Sequence, residues 1–91
     1  RPTAIICVSD VLALGVLQAA ADRGVPVPQA LSVTGFDDVP EAARAGLTTV
    51  RQAHAEKGAA ALRLLLDGAK NASLVLPTEL LPRSSTGPAP G

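Results

Sequence analysis

The stretch "TAIICVSDVLALGVLQAAADRGVPVPQALSVTGF", residues 3–36, changes its hydrophobic period twice, and those two changes decide the fold. Residues 3–9 form a continuous apolar run with β-branched Ile and Val, which reads as a central strand covered on both faces. Ser9 and Asp10 put polar oxygens where the period changes. Beyond them Leu14, Leu17 and Ala21 recur at helical spacing until Gly24, the predicted C-cap. After the proline-punctuated loop 25–30, "LSVTGF" at 31–36 reads as a second buried strand. Strand, helix and strand within thirty-odd residues predict a right-handed βαβ crossover and a parallel sheet.

The rest of the chain repeats the alternation more weakly. Residues 39–46, "VPEAARAG", offer at most a single helical turn, and "LTTVR" at 47–51 predicts a strand. From about Ala53 helical spacing returns, with Ala59, Leu62, Leu65 and Leu66 on one face, and Gly68 ends it. The segment 73–86 alternates in part, but Pro77 and Pro82 lack the amide donor of a central strand, so it is expected as an edge or crossing segment. The last residues, 87–91, are expected to be a disordered tail.

Composition narrows the function. Ninety-one residues make one small domain, and a chain of this size buries roughly 60–65% of its unfolded surface. Phe36 is the one aromatic residue, so the core must be built from Ala, Leu and Val. Eight basic and eight acidic residues cancel, which removes the electrostatic footprint of a surface that neutralises phosphates or lies on an anionic membrane. A single cysteine, Cys7, allows no internal disulfide and suits a reduced compartment. No signal peptide and no apolar run of the ~18 residues a membrane span needs is visible, so a soluble, cytoplasmic chain is expected.

The two carboxylates that follow Phe36 are the candidate chemistry. In open parallel sheets ligands bind at the carboxyl ends of strands, and here the first strand ends in Ser9-Asp10 and the second in Phe36-Asp37-Asp38. A carboxylate from each reaches one cleft if the strands are neighbours. Ser9 and Asp10 also suit plain N-capping, and Asp38 suits an Asx-turn before Val39-Pro40. Asp37, at the end of a buried run, stands between ligand contact and turn residue, because an unpaired carboxylate there is costly to desolvate. Ser9, Asp37 and His54 are triad types without a G-x-S-x-G elbow or oxyanion-hole glycines, which argues against an enzyme. No His/Cys spacing fits a metal and no glycine-rich loop fits a phosphate or nucleotide cofactor, so neither is expected. His54 alone reads as a solvated helix start. A helix-turn-helix reading of residues 13–35 fails, since its recognition segment would begin at Pro28 and contain Leu31, Val33 and Thr34 with no Arg, Lys or Asn for base edges.

Four blocks, "SDVLALGVLQAAADRGVPVPQALSVTGFDDVPEA", "LTTVRQ", "EKGAAALRLLL" and "LPTELLPRSST", resemble in order and spacing the closing third of a LacI/GalR-type transcriptional regulator over about residues 2–86. The resemblance implies an α/β fold: part of a doubly wound parallel sheet of the periplasmic-binding-protein-like kind, a fragment of a two-lobed domain. It implies residues 1–51 in the C-terminal lobe, 52–76 as the helix region of the N-terminal lobe, and 77–86 as the returning crossing strand, with hinges near 51–53 and 76–80. The DNA-binding helix-turn-helix is absent from this stretch, so operator DNA would be met only through a missing domain. Carried over by position, Asp37 resembles the residue that hydrogen-bonds a small-molecule effector, here expected to be a carbohydrate. Ser9, Gln52, His54 and Phe36 line the same pocket, while Asp38 keeps a turn-capping role. Val11, Leu14 and Val39 fall on the family's homodimer surface, although "ARAG" is shorter here than the aromatic and proline-rich stretch of relatives. A periplasmic solute-binding protein of the same fold and a free-standing α/β interaction module are the alternatives.

Overall fold

β-branched and apolar residues at 3–9 and 31–36 do pair as parallel strands. In the computed structural model, which describes residues 2–68, 73 and 75–90, β1 (Ala4–Ile6) lies beside β2 (Ser32–Thr34), with Ile5 opposite Val33. The connection is α1 (Asp10–Asp22), so the βαβ unit is present. Ser9 starts the helix by accepting a hydrogen bond from the Leu12 amide at 3.3 Å. Arg23 is the C-cap, and Gly24 follows at φ +70°, a conformation glycine adopts without strain.

The remaining elements are α2 (Pro40–Ala45), β3 (Thr49–Gln52), α3 (His54–Leu66) and β4 (Thr78–Leu81). The stretch expected to yield one helical turn yields six helical residues. Pro40 fits the first helical position and Gly46 closes the helix in the left-handed region. β3 pairs antiparallel with β4, Arg51 opposite Glu79, and Pro77 and Pro82 flank β4 rather than interrupt it. Parallel bridges Thr34–Thr48 and Asp37–Arg51 join β3 to the end of β2.

Small side chains dominate the core: Cys7, Ala13, Val33, Ala42 and Leu47 are buried together, with Leu14, Leu17, Val27 and Val39 packed around them. Burial raises the Cys7 thiol pKa above its ordinary value, so it stays protonated and unreactive. A polar seam complements this thin core. Asp10 is fully buried and accepts from the Val39 amide at 2.8 Å and the Thr49 hydroxyl at 2.6 Å. Gly35 makes room for it, because a Cβ there would collide with the Asp10 carboxylate. On the other side Ser85 accepts from the Thr48 amide, donates to the Val33 carbonyl, and lends its own carbonyl to the Val33 amide. Among the described residues no buried side-chain nitrogen or oxygen lacks a partner. Gly87, the first residue of the expected disordered tail, is tied to the Ser32 hydroxyl through its amide at 3.1 Å.

One expectation about β1 needs correction. It was read as a central strand covered on both faces, yet it pairs with β2 alone and leaves Ile6 84% exposed. The chain contributes no further strand to that edge among the described residues. The molecule is also long, 54 × 24 × 18 Å with a radius of gyration of 16.8 Å, against about 12 Å for a compact domain of this length.

Candidate functional site

The loop after β2 is where the predicted site residues meet. Asp37 is drawn onto β3 by its amide, which donates to the Val50 carbonyl at 2.9 Å. Its Oδ1 accepts from Gln52 Nε2 at 2.8 Å and lies 3.8 Å from His54 Nε2. Gln52 is oriented from its other end as well, because Lys57 Nζ donates to its Oε1 at 2.9 Å. The Asp37 side chain is 34% exposed, open enough for a ligand to reach and sheltered enough for a hydrogen bond to count. Oδ2 has no hydrogen-bond partner among the described residues. Asp37, after β2, and Gln52 and His54, at the β3–α3 junction, are therefore one cluster.

The other predicted residues stand differently. Phe36 enters through its backbone: its carbonyl accepts from the Asp10 amide at 2.9 Å, which links the β1–α1 junction to the end of β2. Ser9 sits at that junction with its hydroxyl engaged in capping α1. Asp10 does not share a cleft with Asp37, correcting the picture of one carboxylate from each strand end; it faces inward, to Val39 and Thr49.

Asp38 is also more than a turn cap. Its Oδ2 accepts from Arg51 Nε at 2.9 Å and its Oδ1 from an Arg83 terminal nitrogen at 3.0 Å, with the carboxylate 13% exposed. Burial works to raise the Asp38 pKa, but the hydrogen bonds and charges of Arg51 and Arg83 outweigh it, so the carboxyl is held below the ordinary carboxylate value. Sequence reasoning missed Arg51, Arg83 and Lys57. Arg51 lies in β3, Lys57 in the first turn of α3 and Arg83 just past β4, and nothing in their sequence neighbours marks them as partners of the acidic pair.

The predicted dimer residues are split. Val11 is 73% exposed, whereas Leu14 and Val39 lean on the chain's own core. An open groove of about 400 Å³ runs between α1 and the segment after β4, lined by Leu14, Gln18, Ala45 and Ser84; it lies away from Asp37.

Comparison with known proteins gives this geometry a setting. A model of the periplasmic binding protein-like domain matches residues 1–86. The chain belongs to that family, in the form carried by LacI-type regulators. It is 44% identical over 98% of its length to the HTH-type transcriptional regulator MalR of Streptomyces coelicolor, and 41% identical over 98% to the HTH-type transcriptional repressor CytR of Escherichia coli. It spans 28% of the length of each. Among solved structures, a LacI transcriptional regulator from a Rhodococcus species matches all of the chain and 36% of its own with a TM-score of 0.88 at 33% identity. A LacI family regulator from Lactobacillus casei with bound sucrose matches 94% of the chain and 34% of its own, with a TM-score of 0.82 at 38% identity. The α/β architecture is thus a fragment of the periplasmic-binding-protein-like fold.

Proposed function

We propose that this chain is the effector-contacting part of a sugar-responsive transcriptional regulator, with Asp37 as the main ligand contact. The observation that carries this is the convergence of Asp37, Gln52 and His54 at the ends of β2 and β3. A neutral amide and an imidazole beside one accessible carboxylate suit a ligand that donates hydroxyl hydrogens and carries no net charge, and a relative of the same fold holds sucrose. The reading covers a non-enzymatic role, because the site has an acceptor and orienting groups but no activated nucleophile. It also covers a cytoplasmic homodimer, with α1 and Val39 facing a second copy and operator DNA bound by a separate domain. No helix among the described residues is long and apolar enough to cross a membrane. Allostery then has a physical form: a ligand touching both lobes favours one lobe orientation, which sets the spacing of two DNA-binding heads.

The test uses the intact regulator that carries this segment. Asp37→Ala is expected to abolish the response of operator affinity to sucrose and glucose while operator binding itself persists. An unchanged sugar response overturns the reading.

A further inference from the structure

Asp37 and Asp38 are consecutive non-glycine residues with positive φ, +123° and +59°. Side chains at Cβ make both conformations unfavourable, so the turn stands only where its surroundings hold it. Backbone bonds supply part of that hold, through the Asp37 amide to Val50 and the Asp38 amide to the Thr49 hydroxyl at 3.4 Å. A second part lies at the Asp38 carboxylate, where each oxygen has its own guanidinium.

Those two arginines come from different places. Arg51 is on β3, and its terminal nitrogen also lies 3.8 Å from Glu79 on β4. Arg83 follows β4 and donates a second bond to the Leu47 carbonyl at 3.1 Å. One carboxylate thereby fastens the turn to β3 and to the segment that follows β4. The register matters too. Side chains of adjacent residues in a strand point to opposite faces, so Arg51 and Gln52 face apart, and each takes one of the two adjacent carboxylates: Asp38 with Arg51, Asp37 with Gln52. Fixing the first pair fixes the second. The arrangement also keeps both guanidinium groups off Asp37, whose near neighbours are an amide and an imidazole.

We infer that Asp38 is the positioning residue of the effector site: gripped by Arg51 and Arg83, it holds the left-handed turn so that the Asp37 carboxylate stays between Gln52 and His54. The inference rests on Asp37 being the ligand contact, and goes beyond it by assigning what aims that contact.

The experiment follows the side-chain amide of Gln52 by nitrogen-15 NMR in the full 91-residue chain, where Gln18, Gln29 and Asn71 supply the other side-chain amides. Asp37→Ala removes the acceptor and sets the position of a released Gln52 amide. Asp38→Asn, close to isosteric, is expected to preserve the backbone fingerprint yet move the Gln52 signal to that same position. A Gln52 signal that stays put in Asp38→Asn while moving in Asp37→Ala overturns the inference. Should Asp38→Asn unfold the chain, Arg51→Gln removes one grip at a half-exposed side chain and is judged by the same criterion. In the intact regulator, Asp38→Asn is expected to weaken sucrose or glucose binding about tenfold, the effect of misplacing one charged hydrogen bond. Sugar binding that survives Asp37→Ala defeats the effector reading, and the Gln52 signal still decides the positioning role.

Discussion

α1 and α3 are both thirteen residues long and both rich in Ala and Leu, yet the molecule treats them in opposite ways. α1 begins at a serine cap, buries Asp10, Ala13 and Ala20, and is locked to the loop before α2 and to β3 through Asp10. α3 has no side-chain cap, buries only Ala60, and turns Leu62, Leu65 and Leu66 outward at 55%, 75% and 74% exposure. The difference teaches that apolar content does not anchor a helix by itself. α1 is held because polar groups fasten its first turn to three neighbouring segments, whereas α3 carries a leucine face that this stretch of chain leaves uncovered.

The largest effect that sharpens this contrast comes from Asp10→Ala. It strands the part-buried Val39 amide and the buried Thr49 hydroxyl, and two unsatisfied groups cost about 3 kcal/mol. Urea unfolding of the 91-residue chain measures it. A loss below about 1 kcal/mol would mean that α1 is anchored by packing alone, and the comparison would fail.

Second in size is the pH dependence of the Asp38 clamp. Its folded-state pKa lies below the ordinary value, so its contribution is fully present above the ordinary carboxylate pKa of about 4 and is lost as pH falls through the lowered folded value. The stability gap between the native chain and Asp38→Asn is therefore expected to be widest at neutral pH and to narrow progressively as pH falls below the ordinary carboxylate value. Half of Arg51 is in solvent, which keeps the gap smaller than that of Asp10. A gap that does not change as the chain is titrated from neutral pH to the acid limit of its folded state would show that the Asp38 charge adds nothing.

Much of this organisation was legible in the residues. The βαβ unit followed from period alone, because strand and helix periods differ and the polar pair Ser9-Asp10 marks the change. Asp37 was legible as unusual because a carboxylate ends a buried run. What period cannot carry is the partner of each carboxylate. Asp10 and Asp38 look alike as turn or cap residues, and only the return of β3 and of Arg83 past β4 distinguishes a buried bolt from a two-arginine clamp. Likewise "TAIICVS" reads as a strand covered on both faces, since its composition reflects the cover it requires rather than the cover present within these residues.

The smallest effect probes that last distinction on α3. Leu65→Ala in the 91-residue chain removes a side chain already 75% in solvent, so its expected cost in urea unfolding is under about 0.5 kcal/mol. In the intact regulator the same substitution meets a different environment if the leucine face packs on the rest of the proposed N-terminal lobe, and a buried Leu→Ala change costs about 2–5 kcal/mol. Two measurements on one substitution thus separate a helix whose face is a solvated surface from one whose face is half of a core. Equal small losses in both proteins would make the leucine stripe ordinary surface. α3 would then be a tether between the crossing strands, with no part in holding the lobes together.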